Sequence, residues 1–495
     1  MRDLLYIAVD LGAGSGRVFL VGPAEGELLL EEMRRFQYPP TSELGHLRWP
    51  FPKILDEIKL GLRQAAKRAR EAGRKVNSIA IDGWGVDYGL IDAKGALLEN
   101  PICYRDRRTQ GMMEAVFNRV PRAEIFGRTG IQFLPINTIF QLYAHAQAGF
   151  PDEAKHLLLF PDLINNSLTG RTVTEYTNAT TTQLLDARTG AWDLELINNL
   201  GLPSHLFTEI VRPGTDLGTI SPSLTGEVGF DGIRIVAAAT HDTASAVAGA
   251  PIQEDWAYIS SGTWSLVGVE LDKPLMSAKV ASHNFTNEGG AFGTIRFLKN
   301  VSGLWILDSC LEEWKAQGLR ISYHDLLAGG DSYDGKGSLI FPDDPRFFNP
   351  PSMLSAIEEQ LAETNQTAPA KPEAMTLIIL DSLALRYASV LRTIEHLTGR
   401  RIPGIQIVGG GSQNGYLNQT TANVTGLPVC AGPVEATVIG NALVQAIAAG
   451  RFGTLADARS AIAASLRVKR FAPRPSVAWE QRTRRYVEIE ARYAD

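Results

Sequence analysis

A mixed α/β fold of two lobes is predicted by three features of this sequence. Its 495 residues exceed what one hydrophobic core organises, so more than one domain is expected. Strand-like apolar runs alternate with helix-like ones along the chain. A strand, glycine turn, strand unit occurs twice, about half the chain apart, which suggests a duplicated architecture and is too widely spaced for a solenoid repeat.

The first unit begins with Leu5 to Val9, passes through Asp10-Leu11-Gly12-Ala13-Gly14-Ser15-Gly16, and resumes as Arg17-Val18-Phe19-Leu20-Val21. A dinucleotide fold or a P-loop would place a helix after such glycines. Here β-branched and aromatic residues follow, which predicts a hairpin. Pro50 and Pro52 open an amphipathic helix that runs towards Arg70, with Gly73 as its stop. Ser78 to Asp82, a Gly83-Trp84-Gly85 turn and Val86 to Ile91 predict another hairpin. Ile233 to Ala239 reads as a buried strand that meets His241-Asp242 and continues as a small-residue helix, Thr243 to Ala250. The second strand–turn–strand unit runs from Ala257 through Ser261-Gly262-Thr263-Trp264 to Val269. Further on, Leu377 to Leu397 predicts a long helix, Ile405 to Val408 a strand ending in Gly409-Gly410-Gly411, Val438 to Ala449 an apolar helix, and Arg482 to Tyr493 a terminal one. The boundary is expected near Gly249, giving lobes 1–249 and 250–495.

Composition narrows the class. An apolar fraction of 44% and a charged fraction of 21% are those of a soluble globular protein. A net charge of −6 argues against a nucleic-acid partner, whose binding surface is usually basic. Cys103, Cys310 and Cys430 have neither zinc-type spacing nor the density of a disulfide framework. No apolar run reaches the roughly 18 residues of a membrane helix, and Asp10 cuts the opening apolar stretch too early for a signal peptide. A cytoplasmic enzyme with no membrane partner is expected, with monomer and homodimer both open.

Phosphoryl transfer needs a cradle for the donor phosphates, a metal ion to spread charge, and a base for the attacking hydroxyl. Backbone N–H groups in glycine turns supply a cradle, and Ser or Thr hydroxyls add donors. Both turns have that chemistry, and Arg17 adds positive charge beside the first; equally, such turns can simply make tight hairpins. Asp10 enters the first turn where a carboxylate would face phosphate, so it is a candidate Mg²⁺ ligand, directly or through water; the turn itself also favours Asp. Asp242 fits two roles: N-cap of the helix it opens, or a carboxylate at a strand end that takes a hydroxyl proton. His241 beside it can hold a sugar hydroxyl or be a satisfied core residue. Gly83-Trp84-Gly85 suits a sugar platform or plain core. Arg105-Asp106-Arg107-Arg108 reads as a solvated face, and the stripe from Leu383 to Leu397 as packing. GxxxxGK[ST], HRD with DFG, GxSxG and HExxH are all absent from the sequence, which argues against P-loop NTPases, protein kinases, hydrolases of that type and zinc proteases.

The ordered set of motifs resembles the FGGY carbohydrate kinases over nearly the whole chain. Its landmarks are Val9-Asp10-Leu11-Gly12-Ala13, Ile81-Asp82-Gly83-Trp84-Gly85-Val86-Asp87, Tyr104-Arg105-Asp106, Thr129-Gly130-Ile131-Gln132-Phe133 and Glu175-Tyr176-Thr177-Asn178-Ala179-Thr180. His241-Asp242-Thr243-Ala244-Ser245, Ser260-Ser261-Gly262-Thr263-Trp264, Thr286-Asn287-Glu288-Gly289-Gly290 and Val408-Gly409-Gly410-Gly411 complete it. The resemblance implies an actin-like (ribonuclease H-like) fold and ATP- and Mg²⁺-dependent phosphorylation of a ketose. L-rhamnulose, phosphorylated at its 1-hydroxyl, is the expected substrate; L-fuculose or a pentulose is the alternative, and a non-catalytic actin-like ATP switch a remote one. By the family pattern Asp242 is the proton acceptor. Gly85, His241, Asp242, Thr243 and Asn300 would contact the sugar. Ala13, Gly14, Ser15, Gly16, Arg17, Thr263, Asp308 and Gly410 would contact the nucleotide, and Asp10 the metal. The sugar is expected between the lobes and ATP mainly on the second. Two departures stand out: Asp308 replaces a usually neutral glutamine near the nucleotide, and Pro50 a usual acidic helix-capping residue.

Overall fold

The computed structural model of the protein describes residues 4–24, 27–327 and 337–493, so the Met1-Arg2-Asp3 opening lies outside the described residues. The chain forms two compact units. Unit 1 is Met1–Pro251 with Glu270–Phe297 and Glu435–Leu466; unit 2 is Ile252–Val269, Leu298–Val434 and Arg467–Asp495. The first continuous stretch of unit 1 runs past the expected cut at Gly249 to Pro251. Two later segments return to that unit, so the 250–495 stretch is divided between both.

In chain order the elements that matter are β1 (Leu4–Gly12), β2 (Ser15–Ala24), β3 (Glu27–Gln37), α1 (Phe51–Glu71), β4 (Lys75–Gly83), β5 (Tyr88–Ile91) and β6 (His156–Leu159). Then come α2 (Tyr176–Thr181), β7 (Asp216–Thr219), β8 (Arg234–Val236), α3 (Asp242–Gly249), β9 (Ala257–Ser261), β10 (Trp264–Leu271), β11 (Thr286–Gly289) and β12 (Ile295–Ser302). The last are α4 (Trp305–Ala316), α5 (Pro372–Thr398), β13 (Ile405–Val408), β14 (Val429–Ala431), α6 (Ala436–Ala448), β15 (Lys469–Phe471) and α7 (Val477–Tyr493).

Unit 1 is built on a six-stranded sheet of order β7-β8-β4-β1-β2-β3. β1 and β2 pair antiparallel, with Val9 opposite Val18 and Gly12 opposite Ser15, so the predicted hairpin forms around Ala13 and Gly14. β1 pairs parallel with β4, setting Asp10 beside Asp82. The apolar runs of β1 and β2 are buried because helices cover them: Tyr6, Ala8, Phe19 and Val21 pack with Val438, Ala442 and Ala446 of α6. α1 follows the predicted start and stop. It has no side-chain cap, consistent with Pro50 at the N-cap, and Gly73 takes a left-handed φ of 63° just beyond its end.

Unit 2 repeats this local grammar. β9 pairs antiparallel with β10 and parallel with β13, as β1 does with β2 and β4. β14 and β15 continue the sheet beyond β13. Contrary to the expectation that no apolar stretch is long enough, α5 is the one helix among the described residues long and apolar enough to cross a membrane; 89% of its most apolar window is buried. It is a core helix: Leu385 packs with Leu339, Phe341, Tyr486 and Ile489.

The expected hairpin across Gly83-Trp84-Gly85 does not form. β4 stays between β1 and β8, whereas β5 leaves to pair with β6. Two features turn the chain away: Val86 adopts a φ of 69°, and Asp87 is held by two indoles, Trp49 Nε1 at 2.6 Å and Trp84 Nε1 at 3.0 Å. Strand periodicity cannot see either constraint.

α3 and α6 cross at backbone contact. A Cβ on Gly440 would stand 1.8 Å from the Ser245 carbonyl oxygen, and one on Gly249 would stand 2.1 Å from that of Ala436. Backbone on both sides cannot yield as a flexible side chain would. Gly440→Ala and Gly249→Ala are therefore expected to cost ~1–3 kcal/mol each and to lower the melting temperature by about 2–8 °C. Gly226→Ala, which meets no atom within 4 Å, should leave it unchanged; calorimetry on the three variants checks this.

Candidate active site

Three carboxylates converge at one end of the unit 1 sheet. Asp10 and Asp82 are neighbours on parallel strands. The third arrives by a different route. β8 gives way to an extended run whose Thr240 carbonyl accepts from Gly83 N at 2.9 Å, and His241 bridges to Gly83. Asp242 then opens α3. His241 occupies the N-cap position, so Asp242 sits one residue inside the cap. Its Oδ1 accepts from its neighbour Thr243, through N at 2.5 Å and Oγ1 at 3.1 Å.

Like charges gathered in a low-dielectric pocket resist ionising together. Burial, then the Asp10 charge, pushes Asp242 up to about 7, although the Thr243 donors and Arg296 pull the other way. Burial and Asp10 also hold Asp82 well above the usual carboxylate range, against the hydrogen bond from Asn441. Asp82 is fully buried; its Oδ2 accepts from Asn441 Nδ2 at 2.6 Å, and its Oδ1 has no hydrogen-bond partner among the described residues. Asp10 pairs with Arg17, its cross-strand partner. Arg17 reaches Glu435 at 2.5 Å as well.

The first turn is pinned from outside the hairpin. Tyr38 donates its hydroxyl to the Gly12 carbonyl at 2.6 Å and to that of Ser15 at 3.0 Å. Ala13 and Ser15 remain exposed at the tip. Gly14 has a φ of 133° and an unobstructed Cβ position, so backbone conformation, not space, requires glycine there.

Glu175 orders the approach to Asp242. It is fully buried and N-caps α2. It accepts from Thr240 N at 2.9 Å, Thr240 Oγ1 at 2.8 Å and Thr177 Oγ1 at 2.5 Å. Thr177 Oγ1 in turn accepts from His241 N at 3.2 Å. Gly85 lies against Thr181, whose Oγ1 would be 2.9 Å from a Cβ at that position. Trp84 is only 6% exposed. Its ring packs 4.2 Å from Phe160 and 4.8 Å from Trp49, between centroids, which is core packing and not an open sugar platform. Burial pushes Asp87, which anchors this cluster, up to about 6 despite its four donors. Arg105 and Asp106 do not form a purely solvated face either: Asp106 accepts from Leu47 N at 2.7 Å.

Unit 2 gathers its own set. Ser260 pairs with Val408 in parallel register, which brings the Ser261-Gly262-Thr263 turn and the Gly409-Gly410-Gly411 turn to the same sheet end. Gly409 has a φ of 79°, and a Cβ on Gly411 would meet Ser261 Oγ at 2.0 Å. Gly410 faces open space. α4 starts on the same turn: Leu304 N donates to the Gly262 carbonyl at 2.9 Å and Trp305 N to that of Thr263 at 3.3 Å. Asp308 is exposed in the first turn of α4. Asn300 lies on β12, half-buried.

Within unit 1 the structure thus joins Asp10, Arg17, His241, Asp242 and Thr243. Within unit 2 it joins Thr263, Gly410 and the start of the helix that carries Asp308. Tyr38, Glu435, Asn441 and Arg296 escaped the sequence reading. Only Asn441 had a usable signal. With Gln445 it forms a polar i, i+4 pair on the otherwise apolar α6, and Gln445 bonds Ser78, the Ile7 carbonyl and Asn441.

Known proteins match this arrangement. Residues 5–249 match the N-terminal domain, and residues 257–449 the C-terminal domain, of the FGGY family of carbohydrate kinases. The chain belongs to that family, and its fold is the actin-like, ribonuclease H-like one. A rhamnulokinase from Bacteroides thetaiotaomicron is 42% identical over 96% of this chain and 97% of its own length. One from Bacillus subtilis is 37% identical over 95% and 96%. Among solved structures, a xylulose kinase from Lactobacillus acidophilus superposes with a TM-score of 0.81 at 17% identity, covering 99% of this chain and 98% of that one. A glycerol kinase from Plasmodium falciparum reaches 0.79 at 15% identity, covering 99% and 98%.

Asp242 lowers the stability of the fold that carries it. Its folded pKa of about 7 lies above the usual value, so ionising it destabilises the folded state. That cost is absent below about pH 4, grows between about pH 4 and 7, and is complete above, with an upper bound of about 4 kcal/mol. Asp242→Asn should therefore melt at a higher temperature than the parent at pH 8 and at the same temperature near pH 4. Equal melting at pH 8 would mean that Asp242 is not strained by its neighbours.

Proposed function

We propose that this chain transfers the γ-phosphoryl group of ATP to the 1-hydroxyl of L-rhamnulose, with Asp242 as the base. The observation that carries the assignment of the base is Asp242 itself. It is a carboxylate at the mouth of a helix, poised to change protonation near neutral pH and braced by Thr243, in a family whose reaction needs a hydroxyl proton removed. The sugar follows from the relatives named rhamnulokinase, which match nearly end to end.

In this reading Gly85, His241 and Thr243 hold sugar hydroxyls around the base. Ala13, Gly14, Ser15, Gly16 and Arg17 serve the nucleotide from unit 1. Within unit 2, Thr263, Asp308 and Gly410 are the nucleotide-contacting candidates. Among the described residues no three His, Cys, Asp or Glu side chains are placed to hold one metal ion together. The crowded carboxylates, with one orphaned buried oxygen on Asp82, suit Mg²⁺ held by Asp10, water and phosphate, as this ion prefers. Bound there, Mg²⁺ would offset charge on the phosphates. The three buried, unpaired cysteines accord with a reducing cytoplasm.

Asp242→Asn should fold and bind sugar yet lose at least ~10²-fold in kcat, read by ADP release. The parent's kcat/KM should fall about tenfold per pH unit below the Asp242 pKa of about 7, because only the ionised carboxylate accepts a proton. A flat profile down to pH 5 would remove Asp242 as base. A panel of L-rhamnulose, L-fuculose and pentuloses, with NMR of the product, tests the sugar; faster turnover of another ketose would reassign it.

A further inference from the structure

Arg296 is among the largest fully buried side chains of the chain, at 0% exposure, and no motif announces it. Its Nη2 lies 2.8 Å from His241 Nδ1 and 3.0 Å from Glu288 Oε2. Its Nε donates to the Gly289 carbonyl at 3.0 Å. A guanidinium has donors only and stays charged. His241 Nδ1 must therefore accept, and the single proton of the neutral ring sits on Nε2.

The surroundings make that choice matter. Asp242 Oδ1, on the helix that follows His241, stands 3.5 Å from Nε2. Glu288, on β11, stands 3.5 Å from Nδ1. From α2 the contact is to backbone, His241 N to Thr177 Oγ1, with Glu175 behind it. Without Arg296, Glu288 would draw a proton onto Nδ1 and favour either the other tautomer or an imidazolium. With Arg296 in place, Glu288 is matched by a nearer cation, and a second positive charge on the ring is opposed.

We propose that Arg296 is a positioning residue that locks His241 as the neutral Nε2–H tautomer, so that a hydrogen-bond donor stands beside Asp242 and selects a sugar oxygen able to accept. The step to sugar selection rests on the kinase reading above; the tautomer does not. A buried arginine with a carboxylate partner is costly to assemble and is weak as a source of stability, which fits a role in orientation.

Nitrogen-15 NMR of the full-length protein labelled at histidine tests the tautomer without substrate, with His241 assigned by its loss in His241→Gln. The expected spectrum has a protonated Nε2 and an unprotonated Nδ1 from pH 5.5 to 8.5. A proton on Nδ1, or an imidazolium in that range, overturns the proposal whatever sugar the protein uses. Arg296→Met should move the proton to Nδ1 and raise the sugar KM at least ~10-fold, with the ATP KM unchanged. Arg296→Lys, which keeps a charged donor, should restore Nε2–H and most of the affinity. A shifted tautomer with an unaltered sugar KM overturns the link to substrate. Should Arg296→Met fail to fold, the parent spectrum still decides the tautomer.

Discussion

Three carboxylates crowded at one end of a parallel pair of strands form the constraint on which unit 1 depends. Asp10 and Asp82 share a register, and Asp242 is delivered beside them by the Thr240–Gly83 contact. Each neighbour exists to make that crowding tolerable. Arg17 neutralises Asp10, Asn441 donates to Asp82, and Thr243 and Arg296 restrain the rise at Asp242. The residual mismatch is useful. A carboxylate that ionises near neutral pH is a better proton acceptor than an ordinary aspartate, which is too weak a base to take a hydroxyl proton efficiently. Under the proposed assignment of Asp242, stability is surrendered at this point so that chemistry can occur there.

The scaffold supports this with two devices. Each unit flanks one strand with an antiparallel neighbour on one side and a parallel one on the other, so a small-residue turn always opens at the same sheet end as the parallel neighbour's exit. Bare backbone then fixes the spacing of helices: α3 and α6 approach so closely that neither Gly249 nor Gly440 leaves room for a methyl group. Because α3 carries Asp242 and α6 carries Asn441, one close crossing sets the positions of Asp242 and of the residue that holds Asp82. The second tier, Glu175 beneath Thr240 and Arg296 beneath His241, is buried charge spent on orientation.

Much of this could be read from residues. Both hairpins, the stop of α1 at Gly73, the extent of β13, and the placing of Asp10 at a strand end and Asp242 at a helix start follow from local pattern, because turn chemistry and apolar periodicity act over a few residues. The Gly83-Trp84-Gly85 hairpin failed for a non-local reason. Trp49 and Trp84 converge on Asp87, and that shared acceptor outweighs strand pairing. Trp84 was legible as an aromatic between glycines, but not as a core residue enclosed by Phe160 and Trp49.

The sequence by itself determined the class: a two-lobed α/β kinase of the FGGY family, its two small-residue turns, and the aspartate that starts α3. Those are properties of short segments and of their order. Tertiary structure alone decided which carboxylates meet, that burial and charge push the pKa values of Asp82 and Asp242 above their ordinary range, that Trp84 is enclosed, and that Arg296 reaches His241 from 55 residues away. Burial and charge coupling depend on distances through space, and no local pattern of residues encodes them.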